Sequence, residues 1–190
     1  TFTFALTLSG TSDGSEVLIL TGAVYGSGAA YNTAISTTVS FNDLTAPSIL
    51  TALAVSDDNT SATITFSEPV YKSDGSTRLT ATELVPTIAS GTATLSSYTV
   101  STTDDTTFTF ALTLSGTSDG SEVLTLTGTV YDSGAANNTA ISTTVSFNDL
   151  TSPSISTALA VNANNTSATI TFSEPIYKSD GSTRLTASEL

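Results

Sequence analysis

Apolar and polar residues alternate with a period of two through most of this chain. From Ser61 onward, Ala62, Ile64 and Phe66 fall on one side and Thr63, Thr65 and Ser67 on the other, the pattern of a strand with one face in a core. Phe108, Phe110, Leu112 and Leu114 repeat it in TFTFALTLS, and Val123, Leu124, Leu126 and Val130 follow it less regularly. Turn-forming clusters separate the runs: Asp57, Asp58 and Asn59; Ser73, Asp74 and Gly75; Asp104 and Asp105; Ser118, Asp119 and Gly120; Ser133 and Gly134. Together they predict seven strands, near 48–55, 61–67, 84–89, 92–101, 107–115, 121–131 and 139–147. Pro69 is expected to break or bulge the second of these, and Pro86 to sit at a sheet edge, because proline cannot donate to a ladder. Forty threonines and thirty serines, with no long run of good helix formers, make the class all-β.

The pattern also repeats on a larger scale. Residues 1–84 return as 107–190 with eleven substitutions over 84 aligned positions, a period of 106 residues. One complete copy therefore lies in the middle, at 46–151, between the C-terminal half of a copy at 1–45 and the N-terminal half of another at 152–190. The stretch 85–106 occurs once. The joints are placed at Asn42 to Pro47 and at its copy, Asn148 to Pro153, where a proline before the first strand stiffens a short connection. Near-identical neighbours suit a protein whose work is length, spacing or multivalency, because each module gains little catalytically from a twin beside it. A covalent tandem array cut at arbitrary points is the expected source of such a window.

Composition narrows the chemistry. Cys, His, Trp and Met are all absent, so disulfides and thiolate metal sites are excluded, and the commonest base and zinc ligand, imidazole, is lacking. Seventeen acids against four bases give a net charge of −13, which repels phosphate backbones and anionic headgroups; neither nucleic-acid binding nor membrane insertion is expected. No apolar run is long enough to span a bilayer, and neither terminus resembles a signal peptide.

The order NDLTAPSI, then NTSATITFSEPVY, then TVYDSGAANNTA before a last strand resembles the bacterial immunoglobulin-like repeats of large cell-surface and secreted proteins. Seven short strands in about 100 residues also match the size of such a sandwich. The resemblance implies a rod of immunoglobulin-like β-sandwiches in tandem, secreted or surface-anchored, serving as an adhesin stalk, biofilm component or filament. It further implies calcium at the joints. The closing segment departs from the usual acid followed by Gly-Asn: Asp132 precedes Ser133 and Gly134, and Gly26 replaces it in the first copy.

Calcium takes six to eight oxygens, and this chain offers carboxylates, amides and carbonyls in its turns. Strand order in a seven-stranded sandwich brings Asp43 toward Glu68, Asp74 and Asp132, and at the next joint groups Asp149, Glu174 and Asp180. Asp13 and Glu16, or Asp119 and Glu122, are expected to complete each shell. Solvated turn acids are the plain alternative. A lysine–asparagine cross-link needs a nearby carboxylate, and Lys72, Asn148 and Glu68 have the right types but no telling spacing. The tyrosines read as half-buried sheet residues rather than a sugar platform. Abundant hydroxyls lack an activating histidine, so no enzyme is expected.

The expectation is thus a structural extracellular shaft whose partners are neighbouring identical repeats, with lateral self-association as an addition. One rival is a module binding sugars or proteins through domain-end loops. A second is a noncovalent filament in which the half at 152–190 of one chain meets the half at 1–45 of the next. That composite would lack the counterpart of 85–106, about two strands, and is expected to leave core or sheet edges uncovered.

Overall fold

A computed structural model describes residues 1–28, 32–80, 82–134 and 137–190. The chain divides into two compact units, Thr1–Asn148 and Asp149–Leu190, with the division inside the Asn148 to Pro153 segment. In the first unit the strands are β1 (Val17–Tyr25), β2 (Asn32–Ser40), β3 (Ile49–Val55), β4 (Ser61–Phe66), β5 (Leu84–Ala89), β6 (Thr94–Ser101), β7 (Thr107–Ser115), β8 (Val123–Tyr131) and β9 (Asn138–Ser146). The second unit holds β10 (Ile155–Val161) and β11 (Ala168–Phe172). Among the described residues there is no helix, and so none long and apolar enough to cross a membrane.

Strands β3 to β9 form two antiparallel sheets in the orders β3-β4-β7-β6 and β5-β8-β9. The alternation read from the sequence sets which side chains face inward. In the β4–β7 ladder Ala62 lies opposite Phe110 and Ile64 opposite Phe108, and all four are buried, as are Phe66 and Leu112. The other sheet adds Leu84, Leu124, Leu126, Val130 and Ile141 to the same core. Phe66 and Phe108 meet edge to face at 5.9 Å, the favoured arrangement for two aromatic quadrupoles. A core filled from both sheets makes this part of the chain sandwich-like.

All seven expected strands occur, shifted or trimmed by at most two residues at their ends. β4 stops at Phe66, so Pro69 follows a break rather than a bulge. Pro86 lies on β5, an edge strand paired only with β8. β6 bulges between Leu95 and Ser97. Gly128, opposite Leu84, admits no side chain: a Cβ there would stand 2.0 Å from the Glu83 carbonyl oxygen.

β1 pairs with β2 in the register of their sequence copies, β8 with β9, and β10 with β11 in that of β3 with β4, shifts included. The large apolar residues of these ladders are largely exposed: Val17, Ile19 and Val39 in the first unit, and Ile155, Leu159 and Val161 in the second.

Candidate functional site

Of the acids singled out by sequence for the expected joint at Asn42 to Pro47, Asp13, Asp43 and Glu68 come together inside the first unit. Asp13 and Asp43 form an isolated antiparallel bridge, and the Leu44 amide donates to the Ser12 carbonyl at 2.8 Å. This anchors the linker to the turn before β1. On the other side the Ser67 amide donates to the Ser48 carbonyl at 2.8 Å, which carries Glu68 to the same place. Glu68 and Asp43 share a hydrogen bond.

The electrostatics of this pair are asymmetric. Burial, then the hydrogen bond and charge of Asp43, then the charges of Asp132 and Asp13, push Glu68 up to about 7. Burial opposes ionisation of Asp43 too, yet donation from the Thr45 amide at 2.9 Å and its hydroxyl at 2.8 Å holds Asp43 below the ordinary aspartate value. The arrangement is one carboxylate that ionises readily beside one that holds its proton up to about pH 7, the usual outcome when two acids share a site. Asp132 is buried, and Asn137 donates to both of its oxygens, from the amide at 3.1 Å and the side chain at 2.7 Å.

Asp74 does not join the pair. Its oxygens accept from the Ser76 amide at 2.9 Å, the Thr77 amide at 2.7 Å and the Thr77 hydroxyl, which hold it at about 2. In the second unit Asp180 is spent identically on Ser182 and Thr183. Asp149 hydrogen-bonds Glu174 and raises it, behind the cost of lost hydration. Of the six acids expected to bind calcium, the structure therefore unites two pairs, Asp43 with Glu68 and Asp149 with Glu174. Among the described residues no group of three or more acids is disposed to hold a metal ion. Each pair supplies two carboxylates toward the six to eight oxygens that calcium takes from carboxylates, carbonyls and waters together.

Glu122 departs furthest from its expected place in such a shell. It is wholly buried, and four donors converge on it: the Ser118 hydroxyl at 2.6 Å, and the amides of Asp119 at 3.1 Å, Thr92 at 2.9 Å and Ala93 at 2.8 Å. Burial opposes its charge, but these bonds prevail and hold it at about 2. Gly91 is required beside it, with φ at +73° and a would-be Cβ only 2.3 Å from the Glu122 carboxyl carbon. Glu122 is thus a clamp between β8 and the turn before β6. Its copy Glu16 is exposed; among the described residues the Ser118 hydroxyl is matched by that of Ser12 at 2.7 Å.

Sequence reading placed Asn59 in a turn and missed what it does there. Asn59 is buried with φ at +56°; its side-chain amide donates to the Asn148 carbonyl at 2.8 Å and its oxygen accepts the Asn148 amide at 3.0 Å. This reciprocal clamp ties the chain after β9 to the β3–β4 turn. The local signal was an asparagine, the residue that best tolerates a left-handed backbone. Its partner, 89 residues away, had no local signal.

All four cations are engaged. Lys72 pairs with Glu83 at 3.2 Å, Arg78 with Asp105 at 2.9 Å and Lys178 with Glu189, while Arg184 lies over the Tyr177 ring. Lys72 is therefore directed to Glu83, and Asn148 to Asn59, rather than to one another. Tyr71, Tyr98 and Tyr131 are half-buried, whereas Tyr25 and Tyr177 are exposed.

No protein-family model matches this chain, and no curated protein or solved structure matches it.

Proposed function

We propose that this chain is a structural stretch of an extracellular rod, shaft or filament, assembled from immunoglobulin-like sandwiches in tandem and without catalytic activity of its own. One observation carries the reading. Of the fifteen residues that form the buried core, all recur in the partial copies, and only Val70 changes, to Ile176. Several changes fall instead in turns: Ser56, Asp57 and Asp58 become Asn162, Ala163 and Asn164, and Gly26 stands where Asp132 does. Copies that keep the packing unit and let loops drift are what a repeated spacer needs.

Other features agree. The sheet orders match the four-plus-three arrangement of a constant-type immunoglobulin sandwich. A net charge of −13 with every cation engaged keeps neighbouring shafts apart. The joint acids sit in turns, where Thr45 donates to Asp43 and the Leu44 amide to the Ser12 carbonyl.

Small-angle scattering of the dilute chain, paired with protease shaving of intact source cells, tests the reading. A compact globule of this length has a radius of gyration of about 16 Å; a rod is expected to exceed that clearly, and shaving is expected to release the chain. A compact profile, or a chain protected until lysis, would count against it.

A further inference from the structure

Residues 1–45 and 107–151 differ at four positions: Ile19 against Thr125, Ala23 against Thr129, Gly26 against Asp132 and Tyr31 against Asn137. All eight core residues that 107–151 contribute, from Phe108 to Phe147, recur unchanged between Phe2 and Phe41. Packing alone therefore offers β3 to β6 two nearly equal sets of partners within one chain, one before them and one after. The set that follows is the one seated. We propose that the joint makes this choice by its length: the step from Asn42 to Pro47 is too short for residues 1–45 to occupy the place of 107–151, so each copy closes on its own strands.

The sandwich sets the distance to be spanned. β3 and β9 pack beside one another, and contacts at both ends show that they run the same way. At one end the Thr139 hydroxyl donates to the Pro47 carbonyl at 2.5 Å. At the other the Asn148 side chain donates to the Ser56 carbonyl at 3.0 Å, and its backbone amide donates to the Asn59 side chain. Nine residues lead from Thr139 to Asn148, and nine from Pro47 to Ser56. β9 keeps an unbroken register with β8, which the Phe147 amide continues to the Glu122 carbonyl. Its extended rise therefore puts Asn148 roughly 25 to 30 Å from Pro47.

For residues 1–45 to be seated instead, Asn42 would have to stand where Asn148 stands while Pro47 keeps its place. Five residue steps join them, and fully extended these reach at most about 18 Å. The bridge of Asp13 with Asp43 and the bond from the Leu44 amide to the Ser12 carbonyl hold part of the linker against the turn before β1, so even fewer steps are free to reach. Residues 107–151 face no such gap: the turn 102–106 returns the chain at once, and Ser101 pairs with Thr109. The same five-step spacing recurs from Asn148 to Pro153.

A second feature competes as the selector. Asp132 is buried and bonded through both oxygens by Asn137, whereas Gly26 and Tyr31 occupy these positions in the earlier copy. The two explanations part when the linker alone is changed. The choice matters because misassembly between neighbours is a characteristic failure of repeated domains, and near-identical copies have little else to prevent it. The proposal needs the sandwich but not the rod reading.

The chain has no cysteine, so introduced thiol pairs report position without interference. Thr63 on β4 lies opposite Thr109, whose copy is Thr3. Chains carrying Thr63→Cys with either Thr109→Cys or Thr3→Cys are refolded from denaturant at high dilution and treated with a short bifunctional thiol reagent. Each pair is tested with the native linker and with about twelve Gly and Ser residues inserted after Leu44, enough to span the gap. With the native linker, only the pair at 63 and 109 is expected to cross-link. With the extended linker, the pair at 63 and 3 is expected to cross-link in on the order of a tenth of the chains, fewer than the other pair because the longer loop closes less readily. Cross-linking between 63 and 3 with the native linker would overturn the proposal. So would its absence from extended chains in which 63 and 109 still cross-link, which would assign the choice to Asp132 and Asn137.

Discussion

Residues 1–10 and 107–116 are the same ten amino acids, and they have opposite fates. The second set forms β7, hydrogen-bonded to β4 on one side and β6 on the other, with Phe110 at 0% exposure. The first forms no strand, and Phe4 is 61% exposed. Intrinsic preference cannot separate them; the neighbours do. β-propensity expresses fit to a pleated, half-buried surface, and a strand without such a surface is not stabilised by its sequence alone.

The sharpest way to break this comparison is to make the same substitution in both places. Phe110→Ala is expected to cost about 3 to 5 kcal/mol by opening a cavity in the core, whereas Phe4→Ala, in a dilute monomeric chain, should change stability by no more than about 0.5 kcal/mol. Chemical denaturation followed by near-ultraviolet dichroism measures both. Equal effects would mean that residues 1–9 are packed like β7.

A polar version uses the two glutamates of the TSDGSE motif. Glu122→Ala strands the buried Ala93 amide and the Ser118 hydroxyl, with an expected loss of about 2 to 3 kcal/mol; Glu16→Ala should fall within about 0.5 kcal/mol of the unaltered chain. The pH dependence sharpens this. Glu122 stands at about 2 against an ordinary 4.5, so its contribution is complete above pH 4.5 and fades as the pH falls toward 2.

The smallest effect concerns Glu68, which has the opposite sign. Its ordinary value is 4.5 and it stands at about 7, so between these the folded chain keeps a proton that the unfolded chain has released. Stability is therefore expected to fall as pH rises through that window. Glu68→Gln keeps a donor toward Asp43 and removes the titration. Melting curves at pH 5 and 7.5 should show the variant losing less stability than the parent; parallel losses would separate Glu68 from the effect.

Much of the fold was legible because its information is local. Alternation in ATITF and TFTFALTLS, broken by Asp-Asn and Ser-Asp-Gly turns, located every strand of the complete sandwich. Strand order then brought Asp43 to Glu68. What escaped was decided at a distance. Glu122 looked like a turn acid until the backbone of Thr92 and Ala93 closed over it, and Asn59 looked like any turn asparagine until Asn148 returned to it. Asp74 is taken up by the amides of Ser76 and Thr77 in its own turn, a local partnership that strand order alone does not reveal.

Residue-resolved hydrogen exchange on the dilute chain tests the central claim most directly, because the two ten-residue segments share a sequence and hence nearly equal intrinsic rates. Amides of 107–115 are expected to be strongly protected, and those of 1–9 to exchange almost as fast as an unfolded chain. Equal protection of the two segments at a concentration where the chain is monomeric would contradict the account.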